Sequence, residues 1–206
     1  MYLGLDLGTS GLKAALIDEE QHIVATAHAA LRVSRPSSGW SEQDPKSWIS
    51  ATTQVVEQLK EEAPNAFSAI KGIGLSGQMH GATLLDEADE PLASCILWND
   101  TRSHKEAAEL DAIPAFRGIS GSIVFPGFTA PKLRWIEENH PEIFKKIGKV
   151  LLPKDYLRLW LTGNYCSEMS DASGTSWLDV ADRNWSSELL ELSHMRRDQM
   201  PELIEG

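Results

Sequence analysis

The sequence predicts an α/β fold: a mixed β-sheet with an antiparallel three-strand edge, flanked by helices. Three observations carry this. Short apolar runs at residues 2–5, 12–17 and 23–30 follow one another with tight polar turns between them, which reads as strands joined in a meander. Trp48, Thr52, Val55 and Leu59 then recur at spacings of four, three and four, the signature of one helix face. Beyond them, strand-like and helix-like stretches mix, as they do in α/β domains.

Taken in order, residues 1–18 read MYLGLDLGTSGLKAALID. The first run ends on Asp6, the bend is Gly8-Thr9-Ser10-Gly11, and Lys13 stands near the start of the second run. Gln21-His22 makes the next turn and residues 23–30 form the third strand. Residues 34–43, SRPSSGWSEQ, are polar and read as a loop. Asp44 then caps a helix with Pro45 in its first turn, and residues 60–64 close it. A strand is expected at 70–76, a loop at 77–81, and further strands at 82–85 and 93–98 around an acidic turn at 86–91. A helix over 101–110 takes Thr101 or Asp100 as its cap, and residues 117–128 are glycine-rich and irregular. Thr129 caps another helix, with Pro131 in its first turn and Leu133 and Ile136 on one face, until Asn139-His140-Pro141 breaks it. A short helix at 142–147, a strand at 150–152, a helix at 155–161 stopped by Gly163, a polar loop at 167–179 and a last helix at 186–192 complete the chain. No internal repeat or linker interrupts it. One domain over 1–206 is expected, consistent with a ribonuclease-H-like core.

At 206 residues the chain can bury a sizeable core. Its formal net charge of −11 argues against a nucleic-acid partner, which demands a basic face, and against attraction to anionic membranes. Cys95 and Cys166 stand in no metal-ligand spacing and are expected as reduced thiols. The six histidines show no HxxxH or HxH pairing, which argues against structural zinc. Met1 leads directly into a strand and no apolar run approaches a membrane span, so a cytoplasmic protein is expected.

Five stretches carry candidate chemistry. The hairpin bend gathers one carboxylate, two hydroxyls, two glycines and a cation. Glycines let backbone N–H groups approach anionic oxygens, hydroxyls donate, and an acid can hold magnesium through its water shell. The same residues also describe a plain surface hairpin. The bend is neither a Walker loop nor a dinucleotide fingerprint. Ser76-Gly77-Gln78-Met79-His80-Gly81 lies at the carboxyl end of a predicted inner strand, where ligands of α/β sheets collect; with Gln78 and His80 as donors and acceptors and Met79 as an apolar wall it suits a polyol, or it is a loop with a satisfied histidine. Trp98-Asn99-Asp100-Thr101-Arg102 offers a stacking face and an ion pair, or a core tryptophan with a helix cap. Lys132 and Trp135 are neighbours on a helix, and a capped amphipathic helix explains most of that stretch. Pro153-Lys154-Asp155-Tyr156 and Ser170-Asp171-Ala172-Ser173-Gly174 read as polar loops.

Asp6-Leu7-Gly8-Thr9-Ser10-Gly11-Leu12-Lys13 resembles the first phosphate loop of the sugar kinases that share the fold of actin and hexokinase. Residues 127–139, GFTAPKLRWIEEN, resemble the first signature of the FGGY carbohydrate kinases. Trp40-Ser41-Glu42-Gln43-Asp44-Pro45, Gly77-Gln78-Met79-His80-Gly81, Leu97-Trp98-Asn99-Asp100, Leu152-Pro153-Lys154-Asp155-Tyr156 and Ser170-Asp171-Ala172-Ser173-Gly174-Thr175 are similar to the branch of that family that acts on xylulose. The likeness runs over the whole chain, with the motifs in order.

The resemblance implies an ATP-dependent kinase that converts D-xylulose to D-xylulose 5-phosphate. It implies that Gly8, Thr9, Ser10, Gly11 and Lys13 surround the ATP phosphates. Asp6 would hold Mg2+ or its water and be needed for activity. Met79 and His80 would contact the sugar with Gln78 beside them, and Trp98 and Asp100 would lie near its pocket. Lys132 and Trp135 read as structural. It further implies that this chain is the first lobe of two. The general base and the second phosphate loop would then lie in a C-terminal lobe absent from this sequence, and the chain alone would be inactive. An apolar face built for that lobe would favour self-association into a homo-oligomer. Gluconate, ribulose or glycerol as substrate is the alternative within the family; a stand-alone kinase relic without turnover is the alternative outside it.

Overall fold

In the computed structural model, which describes residues 1–206, Leu3, Leu5 and Leu7 are buried while Tyr2, Gly4 and Asp6 point to the opposite side. This period of two is what one-sided burial of a strand requires. The first part of the chain runs β1 (Tyr2–Leu7), β2 (Gly11–Ile17), β3 (Ile23–Ala30), β4 (Glu42–Gln43), α1 (Pro45–Glu62), α2 (Pro64–Ser68) and β5 (Gly72–Gly77). The chain divides into two units, Met1–Val33 with Asp44–Gln78 and Ser34–Gln43 with Met79–Gly206.

The first unit is a four-stranded sheet in the order β3-β2-β1-β5. β1 with β2 and β2 with β3 are antiparallel, the expected meander, and β5 joins β1 in parallel to make the sheet mixed. A helix between β3 and β5 allows that parallel return. On the inner side, Leu12, Ala14 and Leu16 continue the buried rows of β1. Helix α1 lies against β2 and β3 and buries Trp48, Ala51, Thr52, Val55 and Leu59. Its start is local chemistry: the Asp44 carboxylate accepts from Lys46 N at 3.0 Å, and Pro45 occupies the first turn. Buried Thr52 spends its hydroxyl on the Trp48 carbonyl at 2.8 Å, one turn back.

The second unit continues as β6 (Thr83–Leu85), β7 (Cys95–Ile96), α3 (His104–Asp111), α4 (Pro114–Ser120), α5 (Thr129–Asn139), α6 (Pro141–Phe144) and β8 (Lys149–Leu151). Then come α7 (Pro153–Thr162), β9 (Cys166–Glu168), α8 (Met169–Ser173), β10 (Leu178–Asp179), β11 (Asn184–Trp185), α9 (Ser187–Leu192), a 3-10 turn at Arg197–Gln199 and β12 (Glu202–Ile204). Its strands pair two by two: β4 with β7, β6 with β8 and β10 with β11 antiparallel, and β9 with β12 parallel. With no wide sheet, the core gathers helix, strand and loop residues, with Phe116, Leu133, Trp177 and Leu189 fully buried in it. The buried indoles are satisfied: Trp177 Nε1 donates to Ser193 Oγ at 2.7 Å and Trp185 Nε1 to the Pro201 carbonyl at 2.8 Å.

Several local expectations are corrected. The helix expected from residue 101 begins at His104, without a side-chain cap, because the Asp100 carboxylate is occupied elsewhere. Thr129 is the first residue of α5 rather than its cap; its hydroxyl donates to the His80 carbonyl at 3.2 Å. The stretch 117–128 is partly helix, with α4 ending at Gly121 in the left-handed region. Residues 167–179 hold β9, α8 and the first part of the β10–β11 hairpin; Glu168 caps α8 by accepting from Ser170 N and Asp171 N. The strand expected over 93–98 shrinks to Cys95–Ile96. Cys95 and Cys166 are free thiols, and burial pushes the Cys95 thiol up to about 11. No helix is long and apolar enough to cross a membrane.

Leu59 is fully buried and Asp44 is exposed at the helix start. In urea titrations, Leu59→Ala is expected to destabilise the chain by about 3 kcal/mol and Asp44→Ala by about 1 kcal/mol. Equal losses for both would contradict the packing of α1 described here.

Candidate functional site

Asp6 faces Lys13 across the β1–β2 pair and Ser76 across the β1–β5 pair; Lys13 in turn faces His28 on β3. Directly paired residues share a face of the sheet. The outer face therefore carries a row of Ser76, Asp6, Lys13 and His28 across all four strands, each exposed. A concavity of about 580 Å³ lies on this face, with Gly4, Asp6, Lys13, Ala15, His28 and Ser76 among its lining. Gly4 and Ala15 contribute almost no side chain, so the floor stays open.

At the end of that row the bend closes through Gly8 N donating to the Gly11 carbonyl at 3.1 Å, and Leu31 N donates to the Ser10 carbonyl at 3.0 Å. A Cβ on Gly11 would lie 2.4 Å from His28 Nε2 and 2.8 Å from the Ala29 carbonyl, so only glycine lets β3 close over the bend. Thr9 Oγ1 donates to Gln78 Oε1 at 2.9 Å, and Gln78 N donates to the Leu7 carbonyl at 2.8 Å. Buried Gln78 thus braces the bend from the end of β5. Asp6 offers a hard, solvent-facing carboxylate, and no group of three or more His, Cys, Asp or Glu side chains is gathered to hold a metal ion. That donor set fits magnesium, which binds through one or two carboxylates and keeps several waters; it does not make an all-protein cage.

In the second unit, His80 sits at φ 63, in the left-handed region that few non-glycine residues adopt. Its Nδ1 lies 2.9 Å from the Gly174 carbonyl. A carbonyl only accepts, so Nδ1 carries the proton and Nε2 keeps its lone pair. Burial, then the nearby Lys132 charge, pull the imidazole down to about 4, against the Gly174 carbonyl. His80 at neutral pH is thus a fixed hydrogen-bond acceptor. Gly174 makes this possible, since a Cβ there would lie 2.3 Å from the ring. The Phe128 ring packs 4.6 Å from the imidazole.

Supporting charges surround these loops. Lys132 is fully buried; its Nζ donates to the His80 carbonyl at 2.8 Å and to the Gly127 carbonyl at 2.7 Å, and burial brings its ammonium down to about 7. Lys154 Nζ lies 2.7 Å from both Asp155 and Asp171, tying α7 to α8, the helix that Gly174 terminates. Asp100 is buried, and its two oxygens accept from Ser41 N at 2.6 Å, Arg102 N at 2.9 Å, Arg102 Nε at 3.0 Å and an Arg102 terminal nitrogen at 2.7 Å. The Asp100–Arg102 ion pair read from the sequence is therefore present, and the carboxylate is saturated by it. Met79 and Trp98 are half exposed, so Trp98 is no core residue.

The sequence-derived residues fall into two sets. Asp6, Gly8, Thr9, Ser10, Gly11 and Lys13 belong to the first unit, where Gln78 joins them; Met79, His80, Trp98 and Asp100 belong to the second. Sequence reasoning placed Ser76, Phe128 and Gly174 inside candidate stretches but gave none of them a part of its own. Only Gly174 had a signal, a glycine inside a polar stretch.

The family model described as "FGGY family of carbohydrate kinases, N-terminal domain" matches residues 1–206. A curated xylulose kinase of Escherichia coli (strain K12) is 51% identical, over 100% of this chain and 42% of its own length. The crystal structure of a xylulose kinase from Brucella ovis is 66% identical with a TM-score of 0.99, covering 100% of this chain and 43% of that one. A gluconate kinase structure from Lactobacillus acidophilus is 26% identical with a TM-score of 0.92, covering 98% of this chain and 41% of that one. The chain thus spans about two-fifths of the length of the curated relatives it matches.

His80 supplies a direct test. Its ring Cε1 resonance is expected to titrate with a midpoint near 4, below the ordinary 6.5. Between these values the unfolded chain holds more protons than the folded one, so this group's contribution to stability is lost as pH falls from 6.5 towards 4. Gly174→Ala, which displaces the ring, is expected to move the midpoint up. A wild-type midpoint at the ordinary value would rule out the half-buried, neutral His80.

Proposed function

Because the chain belongs to the FGGY family of carbohydrate kinases and matches its N-terminal domain, we propose that it is the first lobe of an ATP-dependent kinase that phosphorylates D-xylulose on its 5-hydroxyl. The observation that carries this reading is the row at the hairpin: an acid, a cation and a hydroxyl in register, beside a bend of backbone amides. Phosphoryl transfer is mostly positioning and charge stabilisation, and these are the groups it uses.

In this reading Gly8, Thr9, Ser10 and Gly11 hold the ATP phosphates by backbone N–H groups and the Ser10 hydroxyl, and Lys13 adds a positive charge. Asp6 holds magnesium or its water; the ion, when bound, supplies charge stabilisation to the phosphate oxygens. Gln78 holds Thr9 in place. Met79 offers an apolar wall, His80 Nε2 accepts from a sugar hydroxyl, and the exposed Trp98 face stacks on the C–H surface of the sugar. Asp100, with its acceptors filled, acts by fixing the Trp98–Arg102 turn. The base that takes the proton from the sugar belongs to a C-terminal lobe outside this sequence, which is the partner this lobe works with.

Identity to xylulose kinases supports xylulose over gluconate, ribulose or glycerol. The fold alone does not discriminate, since the gluconate kinase shares it. Assays of a full-length form against those four substrates test the choice: D-xylulose is expected to have the highest kcat/KM, and another leader would overturn it. Asp6→Asn is expected to lower kcat of that form by roughly 10²-fold or more. For the chain alone, without the base, the expected result is no xylulose-dependent ADP release, a loss of at least about 10²–10⁴-fold. Release that Asp6→Ala abolishes would show that the lobe suffices. Light scattering over a concentration series reads self-association; a strict monomer at high concentration would count against the homo-oligomer.

A further inference from the structure

Lys132 carries a fully buried amino group with no carboxylate within salt-bridge distance. Burying an ammonium is unfavourable, and a position that needed only volume would be better filled by leucine or methionine. What the amino group does instead is bring two separate loops to one point, by donating to the carbonyls of His80 and Gly127. Both loops need holding. His80 is in the left-handed region, a conformation that persists only when its surroundings impose it, and Thr129 Oγ1 is a second donor to the same carbonyl at 3.2 Å. Gly127 is pressed against the Trp98 backbone so closely that a Cβ would lie 2.3 Å from the Trp98 carbonyl. Its neighbour Phe128 packs on the His80 ring, and half-exposed Phe125 meets Phe128 edge-on at 5.8 Å.

We propose that Lys132 is a positioning residue: it pins the His80 and Gly127 carbonyls together so that the His80 imidazole, Phe125 and Phe128 meet a sugar as one preformed surface. The surface combines a hydrogen-bond acceptor with apolar ring faces, the pairing that a polyol with C–H and O–H groups requires. The identity of the ligand rests on the sugar-kinase reading above; the positioning of His80 does not.

The test uses the 206-residue chain, wild type and Lys132→Met, which keeps the length of the side chain and removes both hydrogen bonds. Long-range 1H–15N spectra of the His80 imidazole report its tautomer and titration, and calorimetry reports D-xylulose affinity. In a folded Lys132→Met chain the Nδ1–H signature of His80 is expected to weaken and the D-xylulose Kd to rise by roughly tenfold or more. A lysine acting only through its charge would raise the titration midpoint and leave the Nδ1–H signature where it is, and that outcome overturns the proposal. An unchanged ring, or a changed ring with unchanged affinity, overturns the proposal. If the wild-type chain binds no D-xylulose, it is the sugar reading that fails, and the ring signature alone decides the role of Lys132. If Lys132→Met does not fold, Thr129→Val, which removes the other donor to the His80 carbonyl, is expected to shift the ring in the same direction by less; no shift overturns the proposal.

Discussion

One alternation of side chains holds the first unit of this protein in place. Leu3, Leu5 and Leu7 turn inward with Leu12, Ala14 and Leu16, so Asp6 and Lys13 turn outward together and in register. A slip of a single residue would bury the acid and the cation and expose the leucines. Each leucine contributes about 1.5–3 kcal/mol by its burial, which makes that slip prohibitive. The chemistry therefore sits on paired strands sealed from behind by α1, and its geometry inherits their rigidity.

The second unit is held differently. Its strands are short and pair two by two, and much of its loop geometry depends on buried charges. Arg102 is almost wholly buried, pairs with Glu42 at 2.6 Å and with Asp100 at 2.7 Å, and stacks 3.7 Å from the centre of the Trp40 ring. Trp40 in turn meets Trp135 edge-on at 5.3 Å. Lys154 joins Asp155 and Asp171, and Lys132 joins two carbonyls. Buried charges of this kind contribute little net stability but define a geometry. Here the geometry defined is that of the loops bearing His80, Trp98 and Phe128. Trp135, read from the sequence as structural, takes that part by closing over Trp40 and Arg102.

Features that depend on near neighbours were legible. The Asp44 cap with Pro45 and the Gly163 stop are each set within one helical turn. The buried stripe of α1 follows from its spacing alone. Misreadings arose where a residue with the right local chemistry had a distant claimant. Asp100 and Thr129 are both good cap residues, yet Ser41 and Arg102 take the one and the His80 carbonyl takes the other. Residues 167–179 looked like a loop because their polar side chains serve a cap and a buried ion pair, leaving no apolar period to read.

At the hairpin the sequence by itself determined most of what matters: two strands, a bend of glycines and hydroxyls, and an acid and a cation flanking it. Those groups lie within eight residues of one another, and strand periodicity dictates which of them share a face. Tertiary structure alone decided that Ser76 stands beside Asp6, that Gln78 braces Thr9, that Gly174 sets the tautomer of His80 and that Lys132 holds the His80 carbonyl. The last three join residues 69, 94 and 52 positions apart. No local propensity encodes such pairings; they exist because each buried donor must find an acceptor, and the packed chain offers these.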